Sequence, residues 1–169
     1  LLTPSMTYHE AIAHFGLEEK KRTVLIVGGS LGARTINDSV LTSLELIRQQ
    51  DEVQFIRQTG SFYKNEIADA LRRAGKPENL IVTDFIADMA AAYTVADLVI
   101  SRAGAGSISE FCLLGKPVIL VPSPNVAEDH QTKNALALVK KGAAVYIKDD
   151  EARQALIPRA IALVQEPLQ

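Results

Sequence analysis

The chain reads as an α/β protein built on a doubly wound parallel sheet, a Rossmann-like domain. Three observations predict this. Short runs of Val, Ile and Leu alternate with longer segments of helical period, the runs lack polar alternation, and the unusual residues gather just after the runs. Strands rich in Val, Ile and Leu with no polar alternation are buried on both faces, as in a parallel sheet covered by helices. In such a sheet ligands bind beyond the C-terminal ends of the strands, where those unusual residues stand.

In chain order, the first twenty residues are amphipathic and carry no strand pattern, so residues 1–21 are expected to form a lead-in helix or linker ahead of a domain over 22–169. Strands are predicted at Val24–Val27, Val53–Ile56, Leu80–Val82, Leu98–Ile100, Val118–Val121 and Ala144–Ile147. Helical patterns fall between them, near residues 33–49, 62–74, 88–95, 106–114, 129–140 and 150–165. Repeated β-α units with short connections predict the doubly wound arrangement.

A length of 169 residues fits one domain with a sizeable core. The net charge of −2 and the 5% aromatic content give no electrostatic or stacking case for nucleic acid. Cys112 is the single cysteine, which excludes an internal disulfide and fits a reducing cytoplasm; its place in a helical pattern predicts a core residue. No apolar run approaches the ~20 residues of a membrane span, and no signal peptide is visible. Leu1-Leu2-Thr3-Pro4 reads like a cut inside a longer protein. The three histidines, His9, His14 and His130, are far apart, so no metal site is expected, and no catalytic base is visible.

The most informative stretch is Leu98–Glu110, an apolar run feeding Arg102-Ala103-Gly104-Ala105-Gly106-Ser107 and a helix with an early carboxylate. A strand, a glycine turn and a helix N-terminus present amide N–H groups and the positive dipole end, which suits phosphate. Glu110, one turn in, is placed to accept from a ribose diol. The same Ser107-x-x-Glu110 spacing also fits a capping box, in which Glu110 only reaches back to the Ser107 amide.

Gly28-Gly29-Ser30-Leu31-Gly32 after the first strand is a second glycine turn opening into a helix. It is neither G-x-G-x-x-G nor a P-loop, and Arg57-Gln58-Thr59 stands where a dinucleotide fold wants an acid. Close helix–strand packing is the plainer use of those glycines. Asp84-Phe85-Ile86-Ala87-Asp88-Met89 leaves the third strand and starts a helix capped by Asp88. Its extended backbone is suited to reading a base edge, or is simply a loop with a hydrophobic residue tucked in. Glu128-Asp129-His130-Gln131 opens a helix after Pro122-Ser123-Pro124, and His130 and Gln131 suit sugar hydroxyls or are ordinary surface residues.

Taken together, Gly28–Asn37, Asp84–Met89, Ser101–Glu110 and Asp129–Ala135 closely resemble the C-terminal, donor-binding half of the MurG family, N-acetylglucosaminyltransferases that convert lipid I to lipid II in peptidoglycan synthesis. The likeness covers about residues 22–148. It implies a GT-B fold, of which this is the Rossmann-like C-terminal domain, and UDP-GlcNAc as ligand with no metal or other cofactor. It further implies Glu110 on the ribose and the Ile86 backbone on uracil. Ser30, Ala105, Gly106 and Ser107 would meet the diphosphate, within phosphate loops containing Gly28, Gly29, Gly32 and Gly104. His130 and Gln131 would hold the GlcNAc ring. Leu31 and His130 depart from a Gln found in some members.

The lipid I acceptor, the general base and a surface peripheral to the inner face of the membrane belong, by the same likeness, to an N-terminal domain absent from this chain. The fragment is therefore expected to bind donor and transfer nothing alone. Another UDP-sugar transferase of GT-B fold, a nicotinamide-dependent oxidoreductase domain and a non-catalytic nucleotide-binding module are the competing readings.

Overall fold

Strands that hide both faces must be sandwiched, and the chain meets that need with one parallel sheet. The computed structural model describes residues 6–28, 33–60, 63–102, 115–122 and 144–165. Among them, β1 (Arg22–Val27), β2 (Val53–Gln58), β3 (Leu80–Thr83), β4 (Leu98–Ser101), β5 (Val118–Leu120) and β6 (Val145–Tyr146) form a six-stranded sheet in the order β3-β2-β1-β4-β5-β6. Every adjacent pair is parallel, with Val24 opposite Phe55 on one side and Leu98 on the other. The helices are α1 (Tyr8–Phe15), α2 (Ala33–Thr42), α3 (Leu44–Arg48), α4 (Lys64–Ala74), α5 (Met89–Val95) and α6 (Asp149–Gln165). The expected strands therefore appear within a residue or two of their predicted bounds, while the helices expected near 106–114 and 129–140 lie outside the described residues.

Alternate residues of each strand feed two cores. Val24, Ile26, Phe55 and Ile100 pack with Ile36 and Val40 of α2, Leu44 and Ile47 of α3, Ile67 and Leu71 of α4, and Leu156 and Ile157 of α6. Leu25, Ile56, Val99 and Leu120 pack on the other face with Ala11 and Ile12 of α1 and Ala91, Ala92 and Val95 of α5. Each fully buried Ile or Leu contributes about 1.5–3 kcal/mol of hydrophobic stabilisation. The lead-in segment is thus a helix whose apolar face belongs to the second core.

The single helix expected over 33–49 is two. Ser43 leaves helical geometry at φ −108°, ψ 19°, and its N–H turns back to the Val40 carbonyl at 3.1 Å. The break lets Leu44 and Ile47 reach the same core as α2 while the chain changes direction.

α1 begins with a complete capping box. The Glu10 N–H donates to Thr7 Oγ1 at 3.2 Å, and the Thr7 N–H donates to Glu10 Oε1 at 3.0 Å. The Thr7 N–H first, and the Thr7 hydroxyl second, hold the Glu10 carboxyl below its ordinary value of 4.5. Thr7→Ala is expected to cost about 1 kcal/mol, a melting shift of roughly 2–4 °C. Because the folded-state value is depressed, the contribution of Glu10 is complete well above pH 4.5 and fades as the pH falls through the folded value. Glu10→Gln should therefore converge with the parent in acid, whereas Thr7→Ala, which removes the acceptor of the Glu10 N–H, should stay less stable there; melting curves of both across the acid range check this.

Candidate functional site

The strand order reverses between β1 and β4, since the chain runs outward from β1 through β2 to β3 and then returns to the far side of β1. A crevice opens at such a switch point beyond the strand ends, and ligands of open α/β sheets bind there. Gly28 leaves β1 at this crevice and Arg102 leaves β4. Of the residues expected to bind ligand, Gly28 and Ile86 are described. Gly29, Ser30, Gly32, Gly104, Ala105, Gly106, Ser107, Glu110, His130 and Gln131 lie outside the described residues.

Gly28 has a local reason to be glycine. A Cβ there would stand 3.4 Å from Arg57 Nη2 and from Ile36 Cδ1, and 3.5 Å from Arg57 Nη1. The missing side chain lets a guanidinium and the first turn of α2 close on the end of β1.

Arg57 occupies the place near the end of β2 where a dinucleotide fold carries its acid, and it points inward, 1% exposed. Its Nε donates to Asn37 Oδ1 at 2.9 Å, and Nη2 donates to the same oxygen. Nη1 donates to the Ile26 carbonyl at 3.3 Å and to the Gln58 carbonyl. Burial first, and the Arg102 charge second, draw its pKa down to about 9, so the group stays charged at neutral pH. Sequence reasoning noted the missing acid and passed over the arginine. The signal was present: a basic residue directly after Phe55-Ile56, inside a strand with no solvent face.

Arg102 is neutralised differently. Its Nη1 donates to Asp149 Oδ1 at 2.6 Å and to the Val121 and Pro122 carbonyls at 3.1 and 3.2 Å. Asp149 Oδ2 accepts from Thr35 Oγ1 at 3.1 Å. The first residue of α6 thereby joins the exit of β4 to the first turn of α2, and a carboxylate at that helix N-terminus also suits the helix dipole.

At the outer rim, the Thr59 N–H donates to the Thr83 carbonyl at 2.9 Å and the Gly60 N–H to the Asp84 carbonyl at 3.0 Å, extending the β2–β3 pairing into the loops. Gly60 does this at φ +77°, a conformation costly to any residue with a Cβ. Beyond it the two neighbouring apolar residues part. Ile86 is buried in the second core and Phe85 is 69% exposed on the rim. The hydrophobic residue that tucks in is therefore Ile86, which anchors the loop, while Phe85 is a surface that the sequence alone did not single out. The Asp88 side chain accepts from the Ala91 N–H at 2.9 Å, capping α5 as expected.

An open parallel sheet with helices on both faces and a switch point between β1 and β4 is the architecture of GT-B, Rossmann-like glycosyltransferases. The chain belongs to the family described as the glycosyltransferase family 28 C-terminal domain, whose model matches residues 23–169. It is 63% identical over 97% of its length to the UDP-N-acetylglucosamine--N-acetylmuramyl-(pentapeptide) pyrophosphoryl-undecaprenol N-acetylglucosamine transferase of Bacteroides fragilis, of which it covers 43%. The crystal structure of Acinetobacter baumannii MurG superposes with a TM-score of 0.72 at 34% identity, over 87% of this chain and 44% of that one. The solution structure of ALG13, at 20% identity and a TM-score of 0.64 over 88% of this chain and 89% of that one, shares the fold. The chain thus spans less than half the length of the curated relative it matches. No helix among the described residues is long and apolar enough to cross a membrane.

Proposed function

We propose that the chain is the donor-binding half of an inverting N-acetylglucosaminyltransferase that moves GlcNAc from UDP-GlcNAc to lipid I, giving lipid II for peptidoglycan. The observation that carries this reading is the 63% identity to the Bacteroides fragilis transferase across nearly the whole chain. The sheet supports it, because its switch point lies between the two strands that precede the glycine turns. Ser30, Ala105, Gly106 and Ser107 take the diphosphate and Glu110 the ribose. The backbone at Ile86 takes uracil, and His130 with Gln131 takes the GlcNAc hydroxyls. Lipid I, the base that removes its hydroxyl proton, and peripheral attachment to the inner face of the membrane belong to the N-terminal half. When C1 of the sugar bonds to the acceptor oxygen, the bond from C1 to the diphosphate breaks and UDP leaves with its electron pair.

The test is calorimetric titration of the chain with UDP-GlcNAc, UDP-GalNAc and UDP-glucose, in EDTA and in magnesium. UDP-GlcNAc is expected to bind best and without metal, since backbone amides at glycine turns serve the diphosphate. A gain above about tenfold, or ~1.4 kcal/mol, with magnesium would sink the metal-free mode. Preference for UDP-glucose would point to a different transfer reaction on the same fold.

A further inference from the structure

Among the described residues, no carboxylate balances the charge that Arg57 carries at the buried end of β2. The neighbouring cation, Arg102, is matched by Asp149. Among the described residues, the acceptors of Arg57 are all neutral: the Asn37 side chain and the Ile26 and Gln58 carbonyls. Those contacts engage the Nε hydrogen, both hydrogens of Nη1 and one of Nη2. The remaining N–H lies on Nη2, one of the atoms that a Cβ at Gly28 would press against. The amide nitrogen of Asn37, on a side chain 3% exposed, also has no hydrogen-bond partner. Buried polar groups are ordinarily paired, and a buried cation without a counter-charge is costly to the fold. A spare guanidinium donor and its unbalanced charge stand where β1 ends, and the residue that holds them has an unpaired amide of its own, which is a cost that an anion above Arg57 would offset.

We propose that Arg57, held in place by Asn37, is a positioning residue for the diphosphate of the donor nucleotide, setting a fixed positive charge beneath the end of β1. This rests on the donor-binding reading above and extends it to residues outside the glycine turns. A charge fixed in a low-dielectric floor acts on the ligand without reorganising and is weakly screened by salt. Its attraction also grows as the glycosidic bond breaks, because the diphosphate gains a negative charge when it keeps the electron pair.

The experiment compares UDP and uridine binding by the whole chain and by Arg57→Gln, Arg57→Lys and Asn37→Asp, with a melting curve for each. Arg57→Gln should weaken UDP by about tenfold or more, ~1.4 kcal/mol, and leave uridine within about twofold. Arg57→Lys should recover most of that loss. Asn37→Asp keeps an acceptor for the guanidinium but adds the missing counter-charge, so it should lose UDP affinity like Arg57→Gln while melting no lower than the parent. That variant keeps the test decisive even if Arg57→Gln folds poorly. Parallel loss of UDP and uridine in Arg57→Gln, or unchanged UDP affinity in Asn37→Asp, overturns the role of Arg57 alone. A parent chain that binds no UDP overturns the donor-binding reading and this inference with it.

Discussion

Replacing Asp149 with alanine is expected to destabilise the chain by about 3 kcal/mol, the low end for removing one partner of a buried ion pair. For a chain of this size that corresponds to a melting shift of roughly 6–12 °C. The loss has three parts: Arg102 keeps its burial but loses the carboxylate at 2.6 Å, Thr35 loses its acceptor at 3.1 Å, and α6 loses an acid from its first turn. Arg153→Ala on the same helix is the control. Its pair with Asp38, at 2.9 Å, has both side chains substantially in solvent, so it should cost less than about 1 kcal/mol. Equal melting points for the two variants would show that the Arg102–Asp149 contact is as dispensable as a surface pair.

Glu110→Ala should weaken UDP binding by roughly 1.5–3 kcal/mol, the range for hydrogen bonds to a charged group, or about ten- to a hundredfold. Thr7 and Glu10 show what the other use of this spacing looks like in the same chain, with the glutamate bonded back to the backbone of the capping residue. If Glu110 only does this for Ser107, its loss should cost about 1 kcal/mol of folding stability with UDP affinity intact. Paired thermal melts and titrations separate the two, and a variant that melts lower but binds UDP normally removes Glu110 from the ribose.

The strands were legible because Val24–Val27 and Leu98–Ile100 are apolar at consecutive positions, and Val53–Ile56 at all but Gln54, which a surface strand cannot afford. The division of 33–49 at Ser43 was not, because Leu44 and Ile47 continue a helical spacing whether or not the backbone bends between Val40 and them. In the site, glycine turns announce themselves by composition, whereas the groups that hold the crevice together do not. Arg102 meets Asp149 across 47 positions and Arg57 meets Asn37 across 20, and each is an ordinary charged or polar residue until the sheet brings it inside. Phe85 and Ile86 make the same point in a loop, where no period tells which neighbour is buried. Assignments at Ser30, Ala105, Gly106, Ser107, Glu110, His130 and Gln131 rest on family resemblance, because ligand roles of turn residues depend on backbone direction, which local pattern does not encode.

The strand order has a consequence for how the chain is made. During synthesis β1, β2 and β3 emerge as a set that can pair at once, while the other edge of β1 waits for β4, which begins at Leu98. An open edge of that kind is an aggregation hazard for a nascent chain. The contact that ties β4 to α2 through Asp149 forms only once α6 has been made, so the crevice between β1 and β4 is braced after its flanking strands have emerged. A chain stalled before α6 would carry all six strands and lack that brace.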